Sequence, residues 1–206
     1  MTTIYLIRHS KTLKVNNTFN NDDLQIQNEK YSLSIEGEQI AKDKLNKDEL
    51  NNIDTIYSSN YVRAIQTAKY IADKNNLEIS IVSDLGERKF GINNWNELPQ
   101  NFERNQLLDE NYKIGNGESR KEVTNRMYNS ILRILNDNKN KRIAIISHGT
   151  AMTFLLYKWC NIEFVNDKLR YSFQKKLLLE GYIDNCNCFK LEFDDDNNLV
   201  NIETIK

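Results

Sequence analysis

The sequence predicts an α/β fold: a three-layer sandwich with a mostly parallel central sheet, helices on both faces and an antiparallel hairpin at one edge. Three observations carry this. Short apolar, β-branched runs alternate with longer amphipathic ones, the pattern of strands joined by helical crossovers. Two of the short runs, Thr3 to Ile7 and Arg142 to Ser147, are apolar at nearly every position, as strands covered on both faces must be. Near the C-terminus, Cys188 to Phe193 and Leu199 to Thr204 flank a turn of aspartates and asparagines, which reads as a hairpin.

The elements follow in order. After the first strand, Ser34 opens a helical pattern through Ile35, Ile40, Ala41 and Leu45. Thr55 to Ser58 is the next strand, and Ser59 or Asn60 is placed to cap a helix with Val62, Ile65, Ala68, Tyr70 and Ile71 on its apolar side. Leu77 to Val82 is a third strand. Arg120 to Leu135 spaces Val123, Met127, Ile131, Ile134 and Leu135 as a buried helical face, and Gly149 to Trp159 follows the Arg142 strand as an apolar helix. Strands separated by helices imply parallel pairing with right-handed crossovers. Ser10 to Tyr31 and Arg88 to Glu118 fit no element, and loops so long in a compact domain usually carry function.

Composition narrows the function. A chain of 206 residues, 39% hydrophobic, suits a single domain spanning 1–206. Lys and Arg number 28 against 29 for Asp and Glu, a net charge of −1, which argues against a nucleic-acid partner. No apolar run of membrane-spanning length occurs, and mean hydropathy is −0.66. The N-terminal run breaks at Arg8 and has no basic segment before it, so it does not read as a signal peptide. Cys160, Cys186 and Cys188 form an odd set, read as reduced thiols of a cytoplasmic protein. A zinc site built on them lacks a fourth ligand at suitable spacing.

The chain has only two histidines, His9 and His148, and each stands one step past one of the two most apolar strands. Ligands of open parallel sheets bind beyond the carboxyl ends of the strands, so both imidazoles are expected in one crevice. The alternative is two unrelated histidines, each hydrogen-bonded at a strand end. Arg8 sits where its strand should still be mostly buried, and a buried guanidinium needs an anionic partner. Arg63 lies in the first turn of its helix, where a basic residue opposes the dipole and, with the helix terminus, attracts an anion. Its other reading is a solvated surface charge. Two arginines and two histidines in one pocket suit a phosphate group, since guanidinium donors match phosphate oxygens in pairs. A histidine there is a nucleophile if its attacking nitrogen is unprotonated and the other donates to a backbone carbonyl. No Gly-rich lysine loop and no carboxylate cluster for Mg²⁺ is evident, so no cofactor is expected and arginine charge replaces the metal.

These motifs resemble a known family. Arg8-His9 after an apolar strand, Leu33-Ser34 with Gly37, Gln39 and Ala41, Ser58-Ser59 with Arg63, Gln66 and Thr67, Leu85 with Glu87-Arg88, Phe90 and Gly91, Gly117-Glu118-Ser119 and Ser147-His148-Gly149 occur in the order seen in the histidine phosphatase superfamily, which includes cofactor-dependent phosphoglycerate mutases. The resemblance implies that His9 is the nucleophile that becomes phosphorylated. It implies that Arg8, Arg63 and His148 hold the phosphoryl group and that Glu87 protonates the leaving alkoxide. Such an acid contributes about 10²- to 10⁴-fold and implies a pH optimum on the acidic side of neutral. The competing reading of Glu87 is a surface acid paired with Arg88 or Lys89.

The chain also departs from the pattern. Ser10 and Lys11 stand where the family usually has glycine and then an acid. Ser10 loses glycine's backbone freedom, while Lys11 either favours substrates with several anionic groups or points to water. The family's asparagine falls on Val15, with Asn16 one step off, and the familiar Trp-Glu-Gly reads Trp95-Asn96-Glu97. Tyr31, Phe90, Trp95, Phe102 and Tyr112 are lid contacts or anchors of their own loops. The leading expectation is a metal-independent phosphomonoester hydrolase acting through phosphohistidine on a small phosphorylated metabolite. A phosphoglycerate mutase-type transferase and a non-catalytic module that binds a phosphorylated ligand are the alternatives. The short stretch from Arg88 to Asn116 favours the hydrolase over the mutase.

Overall fold

The computed structural model describes residues 1–15, 23–166 and 168–205. Nine strands and six helices run in the order β1 (Thr2–Arg8), α1 (Leu24–Lys30), α2 (Ile35–Leu45), β2 (Thr55–Ser58), α3 (Val62–Asn75), β3 (Ile79–Ile81), α4 (Phe102–Leu108), α5 (Arg120–Asp137), β4 (Arg142–Ser147), α6 (Gly149–Leu156), β5 (Asn161–Val165), β6 (Lys168–Phe173), β7 (Lys176–Glu180), β8 (Cys188–Phe193) and β9 (Leu199–Ile205). A six-stranded sheet has the order β3-β2-β4-β1-β8-β9. Its first four strands are parallel, and the β8–β9 hairpin continues it antiparallel from β1.

Both faces of the sheet are apolar because both are covered. In β1, Ile4 and Leu6 face a core shared with α5 and α6, while Tyr5 and Ile7 face the other side, against α2 and α3. In β4, Ile143 and Ile145 join the first core and Ala144 and Ile146 the second. All eight are fully buried, so the side-chain alternation of each strand feeds two cores at once. Local capping supports the helices. Ser34 accepts from Gly37 N at 2.9 Å at the start of α2, and Ser119 and Glu122 form a capping box at the start of α5.

Several elements differ from the sequence reading. The unassigned stretches contain α1, capped by Asp23, and α4. Strands β5, β6 and β7 form a separate antiparallel sheet in that order, where no element was expected. Helix α6 stops at Leu156 rather than Trp159, and β3 is confined to Ile79–Ile81. Neither Ser59 nor Asn60 caps α3: its N-cap is Tyr61, with no side-chain bond, because the Ser59 hydroxyl is turned to His148 and Asn60 Nδ2 donates to Glu29 at 3.1 Å. Among the described residues no helix is long and apolar enough to cross a membrane.

The turn after β1 is held against α2 at a point where only glycine fits. Ser10 is fully buried, receives at its backbone no strain of the left-handed kind, and donates its hydroxyl to Gly37 O at 2.7 Å, while Ser10 N donates to Thr67 Oγ1 at 3.0 Å. The serine side chain therefore ties the turn to α2, and its backbone N–H ties it to α3. A Cβ on Gly37 would stand 1.9 Å from the Lys11 carbonyl oxygen, so the two backbones would have to separate. Gly37→Ala is expected to cost about 1–3 kcal/mol, as overpacking does, which lowers the midpoint of a thermal melt by roughly 3–10 °C for a chain of this size; an unchanged midpoint would contradict the close approach.

Candidate active site

The two histidines meet because their strands are neighbours in register. Parallel pairing of β1 with β4 sets Arg8 opposite Ser147, and His9 N donates to Ser147 O at 2.9 Å. The next residue of each chain is a histidine, and the ring centroids of His9 and His148 lie 5.0 Å apart. Strand β2 flanks β4 on its far side, and α3 then carries Arg63 to the same end of the sheet, where Arg63 Nε donates to His9 Nε2 at 3.2 Å.

The neighbours of His9 decide its tautomer. Nδ1 lies 2.7 Å from the Ser10 carbonyl oxygen, which can only accept, so Nδ1 carries the proton. Nε2 faces a guanidinium N–H, which can only donate, so Nε2 keeps its lone pair. Burial, then the Arg63 and Arg8 charges, hold this imidazole well below the ordinary histidine range, outweighing the hydrogen bond to Ser10. Burial, Arg63 and His9 do the same to His148. His148 is fully buried, with Nε2 2.8 Å from the Ser59 hydroxyl and Nδ1 without a hydrogen-bond partner among the described residues.

The arginines carry positive charge that no carboxylate among the described residues neutralises by direct contact. Arg63 is 5% exposed, donates to the Asn28 carbonyl and lies 4.6 Å over the Tyr61 ring. Arg8 is partly rather than mostly buried; it donates to the Ile183 carbonyl, and its buried Nε has no partner. Neither forms an ion pair among the described residues. Carbonyl contacts hold the guanidinium groups without cancelling their charge, so the anionic partner expected for Arg8 is not supplied by the described residues. Gly149 makes room for Arg8, since a Cβ there would stand 3.2 Å from Arg8 Nε.

Glu87 sits across the N-terminus of α6. Its carboxylate accepts from Ala151 N at 3.0 Å, Thr150 N at 3.3 Å and Arg88 N at 2.9 Å, so it serves as the external cap of that helix. The Arg88 guanidinium is 3.9 Å away, and Lys89 is not an ion-pair partner among the described residues. Arg126 fixes the turn that carries Glu87. It donates to the carbonyls of Asp84, Gly86 and Glu87 and holds both Glu118 oxygens, at 2.7 and 2.9 Å. A cavity of about 220 Å³ opens beside Arg8, Glu87 and Gly149.

All the candidate residues, Arg8, His9, Arg63, Glu87 and His148, thus gather at one end of the sheet. Lys11 does not join them: it pairs with Glu36 at the surface, the second of the two readings offered for it. Val15 is exposed, and Asn16 lies outside the described residues. Phe90, Trp95, Phe102 and Tyr112 pack on one another, with Phe102 buried, as anchors of the 88–118 segment. Sequence reasoning missed Ser59, Tyr61 and Arg126. Tyr61, whose ring is 4.5 Å from that of His148, gives no sign in the chain beyond standing next to the Arg63 helix.

The family model of the histidine phosphatase superfamily (branch 1) matches residues 4–201. The chain belongs to that superfamily. A probable phosphoglycerate mutase GpmB of Erwinia tasmaniensis is 30% identical over 164 residues, covering 76% of this chain and 74% of its own. Its Escherichia fergusonii counterpart is 29% identical over the same share. Among solved structures, the phosphoserine phosphatase of Entamoeba histolytica in complex with 3-phosphoglyceric acid superposes with a TM-score of 0.68 at 22% identity, over 100% of this chain and 98% of its own. A mycobacterial glucosyl-3-phosphoglycerate phosphatase bound to VO3 gives 0.70 at 16% identity, over 99% and 97%. At these identities the structures establish a shared fold.

The lowered histidines give this superfamily member an acid-labile pocket. A histidine neutral in the fold takes up its proton in the unfolded chain below a pH of about 6.5, so its contribution to stability is whole above that pH and is lost as pH falls. The loss reaches about 1.4 kcal/mol per pH unit for each histidine. Urea unfolding in phosphate-free buffer is expected to show stability falling from pH 7 to pH 5, with a shallower slope in His148→Asn; equal slopes would contradict the burial of a neutral ring.

Proposed function

We propose that this protein is a metal-independent phosphomonoester hydrolase that works through a phosphohistidine on His9. The observation that carries the reading is the pair of contacts on His9. A carbonyl on one nitrogen and a guanidinium on the other favour a neutral ring whose free lone pair points toward positive charge. A phosphoryl group is the ligand such a site suits, because its oxygens accept from the arginines while its phosphorus meets Nε2.

In the proposed reaction, Arg8, Arg63 and the Nδ1 side of His148 bind the phosphoryl oxygens. Arg63 Nε–H turns from His9 to an oxygen of the substrate, which frees the lone pair. His9 Nε2 then forms a bond to phosphorus as the ester P–O bond breaks, and Glu87 gives a proton to the departing alkoxide. In the second half, water attacks phosphorus, Glu87 takes a proton from it and the N–P bond breaks, releasing phosphate. The backbone N–H groups of Thr150 and Ala151 orient the Glu87 carboxyl for both steps. Phosphatases among the structural neighbours support hydrolysis, and the mutase names of the curated relatives keep phosphoryl transfer as the second reading.

His9→Ala is expected to abolish turnover of p-nitrophenyl phosphate. Wild type quenched during turnover of a ³²P-labelled ester is expected to carry acid-labile, alkali-stable label; turnover retained in His9→Ala would sink the proposal. Glu87→Gln should lower kcat by about 10²- to 10⁴-fold on an alkyl phosphate and by much less on p-nitrophenyl phosphate, whose leaving group needs no proton. Incubation with 3-phosphoglycerate and a bisphosphoglycerate primer separates the readings, with free phosphate expected and 2-phosphoglycerate the result that would favour a mutase.

A further inference from the structure

We propose that Glu103 makes the cavity beside Arg8 selective for phosphomonoesters whose alcohol bears no carboxylate, with uncharged and largely apolar alcohols preferred. The inference rests on the phosphatase reading and names the substrate class of that site.

The cavity has two unlike ends. Its charged lining is Arg8, Glu87 and Glu103. Under the reading above, Arg8 is committed to the phosphoryl group and Glu87 to the leaving oxygen. Beyond them Leu107, Phe154, Leu169 and Ile183 favour apolar surface on the alcohol, and Thr150, Thr153 and Tyr182 add uncharged polar groups to the wall. Glu103 is thus the one charge that faces the rest of the substrate.

Behind Glu103 lies a cation that the cavity does not reach. Arg88 is 1% exposed, and its guanidinium lies 4.5 Å over the Phe90 ring. One terminal nitrogen donates to Glu103 at 3.0 Å, the other is 3.9 Å from Glu87, and Nε, fully buried, has no hydrogen-bond partner. Glu103 is itself mostly exposed, on the short helix α4. A carboxylated substrate therefore meets the Glu103 carboxylate, while the Arg88 guanidinium behind it stays out of reach. It would surrender water to a largely apolar wall that offers no free cation in return, and specificity against it arises by repulsion.

The test compares kcat/KM for 2-phenylethyl phosphate, an uncharged alkyl ester, with 3-phosphoglycerate and phosphoserine in wild type, Glu103→Gln and Glu103→Asp. Wild type is expected to prefer the phenylethyl ester by about tenfold or more, the scale of one screened like-charge contact. In Glu103→Gln the ratio of carboxylated to uncharged turnover should rise by about tenfold, and added KCl should narrow the wild-type difference. Glu103→Asp, which keeps the charge, should hold the ratio near wild type. Equal use of the three esters by wild type, or an unchanged ratio in Glu103→Gln, would overturn the inference and leave the phosphatase reading standing. Failure of wild type to hydrolyse any of them would overturn both.

Discussion

The last rung of the β1–β4 ladder, the bond from His9 N to the Ser147 carbonyl, sets the geometry of the whole site. Side chains alternate with a period of two, so a slip of one residue between these strands would turn one histidine away from the other and move the apolar residues of β1 to the wrong core. Register is therefore enforced by two packed faces at once. The meeting of the imidazoles is a consequence of burying Ile4, Tyr5, Leu6 and Ile7 on one strand and Ile143, Ala144, Ile145 and Ile146 on the other.

Around that rung, the fold places positive charge beside neutral rings and meets it with neutral acceptors. Arg63 bonds to a backbone carbonyl and an imidazole, and Arg8 to a backbone carbonyl. Removing a guanidinium from water without an ion-pair partner is unfavourable, and the packing of two cores offsets it. The helix behind each residue contributes as well. Thr67 holds Ser10 N and returns its own hydroxyl to the Arg63 carbonyl, and Gln66 accepts from Leu33 N, so one face of α3 fixes the turn after β1.

The histidine and arginine end of the site was largely legible in the chain, and the cavity beside it was not. His9, His148, Arg8 and Arg63 stand at strand ends or a helix start, where apolar periodicity stops abruptly and a charged or titratable side chain stands out, whereas Glu87 stands in a loop and was legible only through the motif resemblance. Ser59 was misread as a helix cap because capping is a local rule, and its hydroxyl bonds instead to a ring distant in sequence. Arg126 looked like one more polar residue on an amphipathic helix. Its contacts lie on the turn bearing Glu87, which only the docking of α5 brings near.

By itself the sequence determined the parallel core, the pairing of both histidines with its two most apolar strands and the arginines beside them, because periodicity and strand ends are local properties of the chain. Tertiary structure alone decided the rest. It selected the tautomer of His9, turned Lys11 outward to Glu36, bound Glu87 to the start of α6, and drew Glu103, Leu169 and Ile183 from three distant segments to wall the cavity. Each of these depends on contacts between residues far apart along the chain, and no local pattern encodes which distant group will arrive.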